Sequence, residues 1–195
     1  MYSGATLTGN GAIFGNLTLN SGAIRNGAGI ISGNVEIESG ATFSGGGVVY
    51  GSTVVNGFLT PIGIAGGTVF NGEVTVGQNG ILVWNLNRLV DSSTPGAVPG
   101  IDFSYFRTVG ILDLGASGGL LLQFAPGLSP DKSLTFWTKP HTWTIARSDQ
   151  PIGWISQFGG LFEPLYKDGH FSWNNVQLAG GGYALQLYYY PYPSP

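Results

Sequence analysis

An all-β fold, a parallel β-helix or β-solenoid, is what this sequence predicts, and three observations predict it. The stretch from Ser3 to Asn20, "SGATLTGNGAIFGNLTLN", is followed by two of the same length and pattern, "SGAIRNGAGIISGNVEIE" and "SGATFSGGGVVYGSTVVN". Each copy divides into three hexads led by Gly or Ser, as in "SGATLT", "GNGAIF" and "GNLTLN". Within the hexads the third and fifth positions are small or apolar: Ala5 and Leu7, Gly11 and Ile13, Leu17 and Leu19, then Val35, Ile37, Val49 and Val55. Period two marks strands and the glycine-led breaks mark corners. Three strands and three corners make one coil of about 18 residues, and coils stack in parallel about 4.8 Å apart around a narrow apolar core.

One coil cannot bury its inward face alone, so the inward apolar positions and the corner glycines are the letters that recur. The glycines stand in columns: Gly9, Gly27 and Gly45; Gly11, Gly29 and Gly47; Gly15, Gly33 and Gly51. A corner that needs φ > 0 accounts for glycine there. The outward column Thr18, Glu36, Val54 and Thr75 is free to vary. Arg25 is the departure, because it falls in the column of Leu7 and Phe43. It reads as a local bulge or a snorkelling stem, against the alternative of a paired interior charge. A six-residue beat suits left-handed helices, but the bias of parallel crossovers favours a right-handed one, which is the expectation.

Residues 1–87 form the Gly-rich repeats, 88–104 an inserted loop, and 105–195 wider coils with an aromatic C-terminal cap. In the longer coil Gly57 to Asn87, Pro61 interrupts a corner, and Val74, Val76, Ile81, Val83 and Leu86 continue the inward set. Prolines, glycines and polar residues in "RLVDSSTPGAVPGIDFS" mark the insertion. Strands resume with "YFRTVGILDLGASGGLLLQF", and after the prolines around 126 and 130 with "KSLTFWTK" and "HTWTIARS". Of 25 aromatic residues nineteen lie from Trp84 onward, so the bulk that closes the narrow core belongs to the C-terminal half.

The stretch "GFLTPIGIAGGTVFNGEVTVGQNGILVWNLN" resembles the passenger β-helices of bacterial autotransporters and autotransporter-associated strand repeats, in which a Gly-x-Leu-Ser-Pro-Gly corner leads into a Gly-Thr-Leu-x-Val run. "SYFRTVGILDLGASGGLLLQF" is similar to the next coil of such proteins. "FSWNNVQLAGGGYALQLYYYP" resembles their closing strands, which also occur in secreted proteins with a Pro-Glu-Pro sorting tail. The sequence has no membrane-barrel translocator, and "YYYPYPSP" lacks the Glu and the membrane segment of a sorting tail. The resemblance implies a bacterial extracellular or cell-surface solenoid of structural or adhesive kind and carries over no catalytic residue.

Composition narrows the function classes. The 195 residues allow one sizeable domain. Charged residues are 9% of the chain and the net charge is −3, so the basic stripe required by nucleic acid or an anionic membrane surface is missing. With no cysteine there is no disulfide, thiolate or Cys-based metal chemistry. No apolar run approaches the about 18 to 20 residues of a membrane helix, so no membrane insertion is expected. Repeat character begins right after Met1 without a signal-like segment, which reads as a chain that is not secreted or as a trimmed part of a longer precursor.

Parallel β-helices can be enzymes, so chemistry has to be sought in residues. Glu36 and Glu38 share a strand face at spacing two without a basic partner, and Asp102, Asp113, Asp149, Glu163 and Asp168 are scattered singly. His141 and His170 are far apart, and no Gly-x-Ser-x-Gly elbow accompanies them. The runs Gly45 to Gly47 and Gly180 to Gly182 read as corners, not phosphate cradles. The expectation is a protein without catalytic residue, metal or cofactor.

Two binding surfaces remain, and end-to-end self-assembly of a structural solenoid is the leading reading, with an adhesive or glycan-binding module as the alternative and an enzyme acting on polysaccharide third. The uncapped first coil, with Ala5, Leu7, Ile13, Leu17 and Leu19, is a candidate for head-to-tail stacking of a second copy into a filament or surface layer, or for the upstream part of a longer chain. The aromatic set comprises Trp137, Trp143, Trp154, Tyr166, Trp173, Tyr183 and Tyr188 to Tyr190. The favoured reading is that most of it fills the wide end of the core and its caps; the alternative stacks it on sugar rings, with Trp137, Trp143, Trp154, Tyr166 and Trp173 as candidate glycan contacts.

Overall fold

The computed structural model describes residues 1–115, 117–153, 159–162 and 166–193. It is all-β, with parallel pairing dominant, and no α-helix occurs among the described residues. The strands come in triplets: β1 Thr6–Thr8, β2 Ala12–Ile13 and β3 Leu17–Leu19; β4 Ile24–Gly27, β5 Ile30–Ile31 and β6 Val35–Ile37; β7 Thr42–Gly45, β8 Gly47–Val49 and β9 Thr53–Val55. Then follow β10 Phe58–Thr60, β11 Thr68–Phe70 and β12 Val74–Val76; β13 Ile81–Leu86, β14 Phe106–Thr108 and β15 Leu112–Asp113; β16 Gly119–Phe124 and β17 His141–Ser148. The last strands are β18 Gly159–Phe162, β19 Gly169–Gln177 and β20 Tyr183–Pro191.

Every third strand pairs. The first sheet runs β1-β4-β7-β10-β13-β16-β18, the second β2-β5-β8-β11-β14-β17-β20-β19 and the third β3-β6-β9-β12-β15. Register follows the sequence period: Thr6 lies beside Ile24 and Ile24 beside Thr42. The outward column Thr18, Glu36, Val54, Thr75 is continuous in the third sheet and ends at Asp113. The matching inward column Leu19, Ile37, Val55, Val76 is buried throughout. One-face burial makes this register costly to slip, because a shift of one residue would turn each apolar column outward.

Polar side chains complete the corners where strand pairing is interrupted. Asn16 Oδ1 accepts the backbone N–H of Asn34 at 2.9 Å, and Asn34 Oδ1 accepts that of Ser52 at 3.0 Å. Asn10 does the same for Ala28. Each recurring Asn thus satisfies a main-chain donor in the next circuit, which explains the Gly-Asn letters of the hexads.

The glycine columns have a different cause from the one expected. Gly9, Gly15, Gly45 and Gly47 do take positive φ, of 122°, 133°, 101° and 101°, but Gly11, Gly27, Gly29, Gly33 and Gly51 do not. At Gly29 a Cβ would fall on the carbonyl oxygen of Gly11, and at Gly27 on that of Gly9. Close approach of stacked corners, rather than backbone handedness, excludes a side chain at these positions.

Arg25 corrects both sequence expectations. It stays in register between Leu7 and Phe43, so there is no bulge, and at 4% exposure it does not snorkel. Among the described residues no carboxylate meets it either. Its Nη1 donates to the carbonyls of Ser44 and Gly46, both at 3.1 Å, and the guanidinium lies 4.5 Å from the centre of the Phe43 ring. Burial lowers its pKa, and the carbonyls and π-face stand in for a counter-ion.

Two strand expectations are also corrected. In β13 the residues that join the main core cluster are Leu82, Trp84 and Leu86, in line with the buried Leu59, whereas Ile81 and Val83 belong to the opposite parity, Ile81 half-buried and Val83 buried at 4% exposure. Both parities of "ILVWNL" are apolar, so pattern alone selects neither face. In "KSLTFWTK" the segment Thr135–Thr138 is a 3₁₀ turn rather than a strand, and it carries the buried Trp137 into the core.

At the far end the parallel order stops. β20 pairs antiparallel with β17, and β19 pairs antiparallel with β20 through a turn in which Gly181 and Gly182 have φ of 91° and 78°. The second sheet therefore ends in a hairpin laid on β17. Between β13 and β14, residues 87–105 run alongside β17: Ser92 N–H donates to Thr142 O, and Thr144 N–H donates to Ser92 Oγ at 2.8 Å. They thus serve the first half of β17, while β14 pairs with Ala146 to Ser148.

Candidate functional site

The candidate glycan contacts are mostly structural, in line with the core-filling reading. Trp137 and Trp143 are fully buried, with their Nε1–H groups donated to Leu128 O and Val90 O at 3.1 and 2.7 Å. Trp143 packs 5.1 Å from Trp84, and Trp137 lies 4.8 Å from Tyr189, centre to centre. Neither offers a face to solvent, which removes both as sugar platforms. Tyr166 and Trp173 are half-buried against the same cluster, and Trp154 lies outside the described residues. The reason is strand parity: His141 and Trp143 stand opposite the inward-facing Tyr189 and Leu187.

The expected assembly residues divide in the same way. Leu17 and Leu19 are buried, Ala5 and Ile13 are half-buried, and Leu7 is exposed. Met1 packs against the core, its amino group donating to Thr18 O and its carbonyl accepting from Asn20 N–H.

The alternate parity of the antiparallel strands builds an aromatic outer face. On β20 and its extension it presents Gln186, Tyr188, Tyr190 and Tyr192. Opposite them are Thr142 and Thr144 on β17 and His170, Ser172 and Asn174 on β19. Directly opposed residues in an antiparallel pair share a face. His170 lies 5.4 Å from Tyr190 and 5.5 Å from Tyr192, with ring planes inclined by 27° in each case. Tyr188 and Tyr190 are 6.3 Å apart and inclined by 12°. Tyr190 and Tyr192 are 41% and 45% exposed, which makes this row available to a ligand. Tyr188 Oη donates to Gln186 Oε1 at 2.6 Å, and burial followed by Tyr190 pushes the Tyr188 phenol up, so the hydroxyl keeps its proton near neutral pH.

The signal for this face was in the letters. Gln186, Tyr188, Tyr190 and Tyr192 alternate, as do His170, Ser172 and Asn174. The sequence reading counted Tyr188 to Tyr190 as one run, whereas the strand sends Tyr189 inward and its neighbours outward. His170 was considered only as a catalytic candidate.

The residues weighed for catalysis are not brought together. Glu36 stands exposed in the outward column, and among the described residues no group of three or more His, Asp or Glu is placed to hold a metal ion. His141 faces inward and His170 outward. His141 stacks on Phe136 at 3.6 Å, Nε2–H donates to the Phe136 carbonyl at 2.6 Å, and Nδ1 faces Asp91 at 2.8 Å. Both nitrogens are committed: Nδ1 ties residues 87–105 to β17 through Asp91, and Nε2 ties the 3₁₀ turn Thr135–Thr138 to β17 through Phe136.

Asp91 supports a pH prediction. Burial pushes its carboxyl up, but hydrogen bonds from His141, Ser93 and Thr94 outweigh that and hold it at about 2. A depressed carboxylate adds stability above its unfolded pKa of about 4, and this is lost as pH falls toward the folded value. Between pH 4 and 2 the protein is therefore expected to lose up to about 2 kcal/mol more than an Asp91→Asn variant does. Thermal unfolding of both at pH 6, 4 and 2.5 checks this, and parallel curves would contradict it.

Comparison with protein-family models, with curated proteins and with solved structures finds no match for this chain.

Proposed function

We propose that the chain is a right-handed β-solenoid, extracellular and without catalytic activity, whose role is to bind carbohydrate on the outer face of β17, β20 and β19. The near-parallel row of Tyr188, Tyr190, Tyr192 and His170 carries this reading. Aromatic faces take up the C–H faces of pyranose rings, and flanking Thr142, Thr144, Ser172, Asn174 and Gln186 bring neutral donors and acceptors for hydroxyls. The stacked parallel triplets support the solenoid, and the bias of parallel crossovers supports its hand.

A second reading, end-to-end assembly into a filament, has its own observation. Gly9, Gly11 and Gly15 have nothing within 4 Å of where a Cβ would stand, whereas the glycines above them are closed off by backbone. That corner surface can accept another circuit. The opposite end of the second sheet is turned over by an antiparallel hairpin, so the two ends are not alike, and this favours the aromatic face over the ends.

Titration of the full chain with a panel of soluble polysaccharides, followed by calorimetry and affinity electrophoresis, tests the reading. Binding is expected to at least one polymer, and Tyr190→Ala combined with Tyr188→Ala should weaken it about tenfold, since an aromatic contact contributes about 0.5–1.5 kcal/mol. Absence of binding across the panel, with filaments forming on concentration, would replace this reading with the assembly one.

A further inference from the structure

Beside the aromatic row lies an open cleft of about 260 Å³ lined by Gly66, Ser92, Pro99, Tyr105, Thr144 and Arg147. Among the described residues no carboxylate lines it. Residues 87–105 supply Ser92, Pro99 and Tyr105, and β17 supplies Thr144 and Arg147 at its bulge, where register shifts between Thr144 and Ala146. Bulges re-aim side chains, and here one separates two outward residues of β17.

The charges around the cavity are unbalanced. Arg107 and Arg147 are direct register partners across β14 and β17. Arg107 takes both oxygens of Asp149, at 3.0 and 2.8 Å, Arg88 is paired with Asp102, and Arg25 is held by carbonyls in the core. Among the described residues Arg147 is the arginine left with neither a carboxylate nor a carbonyl partner. The Tyr105 hydroxyl senses Arg147, Arg107 and Asp149 together, and burial pushes its phenol up, so it remains a donor. Ser92 Oγ accepts from Thr144 N–H and keeps its own hydrogen to give.

The cavity meets the face of the aromatic row at Thr144. Thr144 is paired with Gln186, which holds the Tyr188 hydroxyl, and Arg147 lies opposite Ala184. From Tyr190 to the level of Ala184 the strand rise amounts to about 20 Å, the reach of a short oligosaccharide rather than of one sugar.

Building on the glycan reading, we propose that the ligand of this face is an acidic polysaccharide, a pyranose chain bearing carboxylate or sulfate. Its sugar rings lie along Tyr188, Tyr190, Tyr192 and His170, and one anionic group is held by Arg147 with Tyr105, Ser92 and Thr144. The guanidinium fork matches a carboxylate or sulfate bidentately, and the anion gives Arg147 the counter-charge that Asp149 gives the facing Arg107. Arg147 is the specificity residue, and the aromatic row supplies the part of the affinity that is common to neutral and acidic chains.

The test uses the full chain with polygalacturonate, its fully methyl-esterified form, a sulfated galactan and a neutral glucan, by calorimetry at low and high salt. At least one anionic polymer is expected to bind about tenfold more tightly than the neutral ones, with the advantage lost at high salt. Arg147→Gln should abolish that advantage without changing neutral binding, Arg147→Lys should retain part of it, and Tyr190→Ala should weaken acidic and neutral chains alike. Preference for polygalacturonate or for the sulfated galactan then names the anion. Equal binding of acidic and neutral polymers, unchanged by Arg147→Gln, would overturn the acidic class and leave the glycan face standing. If none of the four binds, both readings fall. The exposed position of Arg147 leaves folding intact, which unchanged thermal unfolding of the variants verifies.

Discussion

Replacing Gly29 with alanine is expected to cost about 3 kcal/mol or more, while the same change at Gly11 stays within about 0.5 kcal/mol of the parent. The two glycines occupy the same hexad position eighteen residues apart, and neither has a positive φ, so backbone propensity cannot separate them. What separates them is stacking. A Cβ on Gly29 would fall on the Gly11 carbonyl oxygen and 3.0 Å from its carbon, and the atoms it meets are main chain that cannot swing aside. A Cβ on Gly11 meets nothing within 4 Å. For a chain of this size the Gly29→Ala loss corresponds to a fall in Tm of about 6–12 °C. Circular dichroism on heating reads it, and equal Tm values for the two variants would contradict the close approach of successive corners.

Trp143→Ala should be the most damaging single change in the C-terminal half, at about 3–5 kcal/mol. The ring is fully buried, with Trp84, Trp137, Phe136 and Phe171 around it. Truncation leaves a void among rings that cannot collapse together, and it strips the Val90 carbonyl of its 2.7 Å donor. Because that bond anchors residues 87–105 to β17, early proteolytic cleavage there should accompany the loss. Trp143→Phe keeps most of the volume and is expected to cost less than the alanine change. Urea unfolding with limited proteolysis checks both variants. A Trp143→Ala protein of undiminished stability that had lost carbohydrate binding would return this tryptophan to the role of a ligand contact.

The tryptophans show where sequence reading stops. Aromatic density from Trp84 onward marks a bulky region, but whether a ring fills the core or faces a ligand depends on one residue of parity. In "HTWTIARS" the alternation is visible, yet nothing in the letters says which half faces inward until Leu187 and Tyr189 are set opposite Trp143 and His141. The same ambiguity misplaced Ile81, while Val83 of the same parity is buried as well, because both faces of β13 are apolar. Arg25 was legible as an anomaly. Its solution was not, since the two carbonyls and the Phe43 face that hold it come from the next circuit.

By itself the sequence determined the period, and with it the register of the first nine strands and their inward columns. These follow from local repetition, since identical spacing places like residues above like and any other register would expose an apolar column. Only the tertiary structure decided that β20 turns back antiparallel on β17, that residues 87–105 serve half of that strand, and that Arg147 faces a cavity beside a row of tyrosines. Each of these joins segments some forty or more residues apart, where no short period constrains the pairing and the outcome rests on which faces can be buried together.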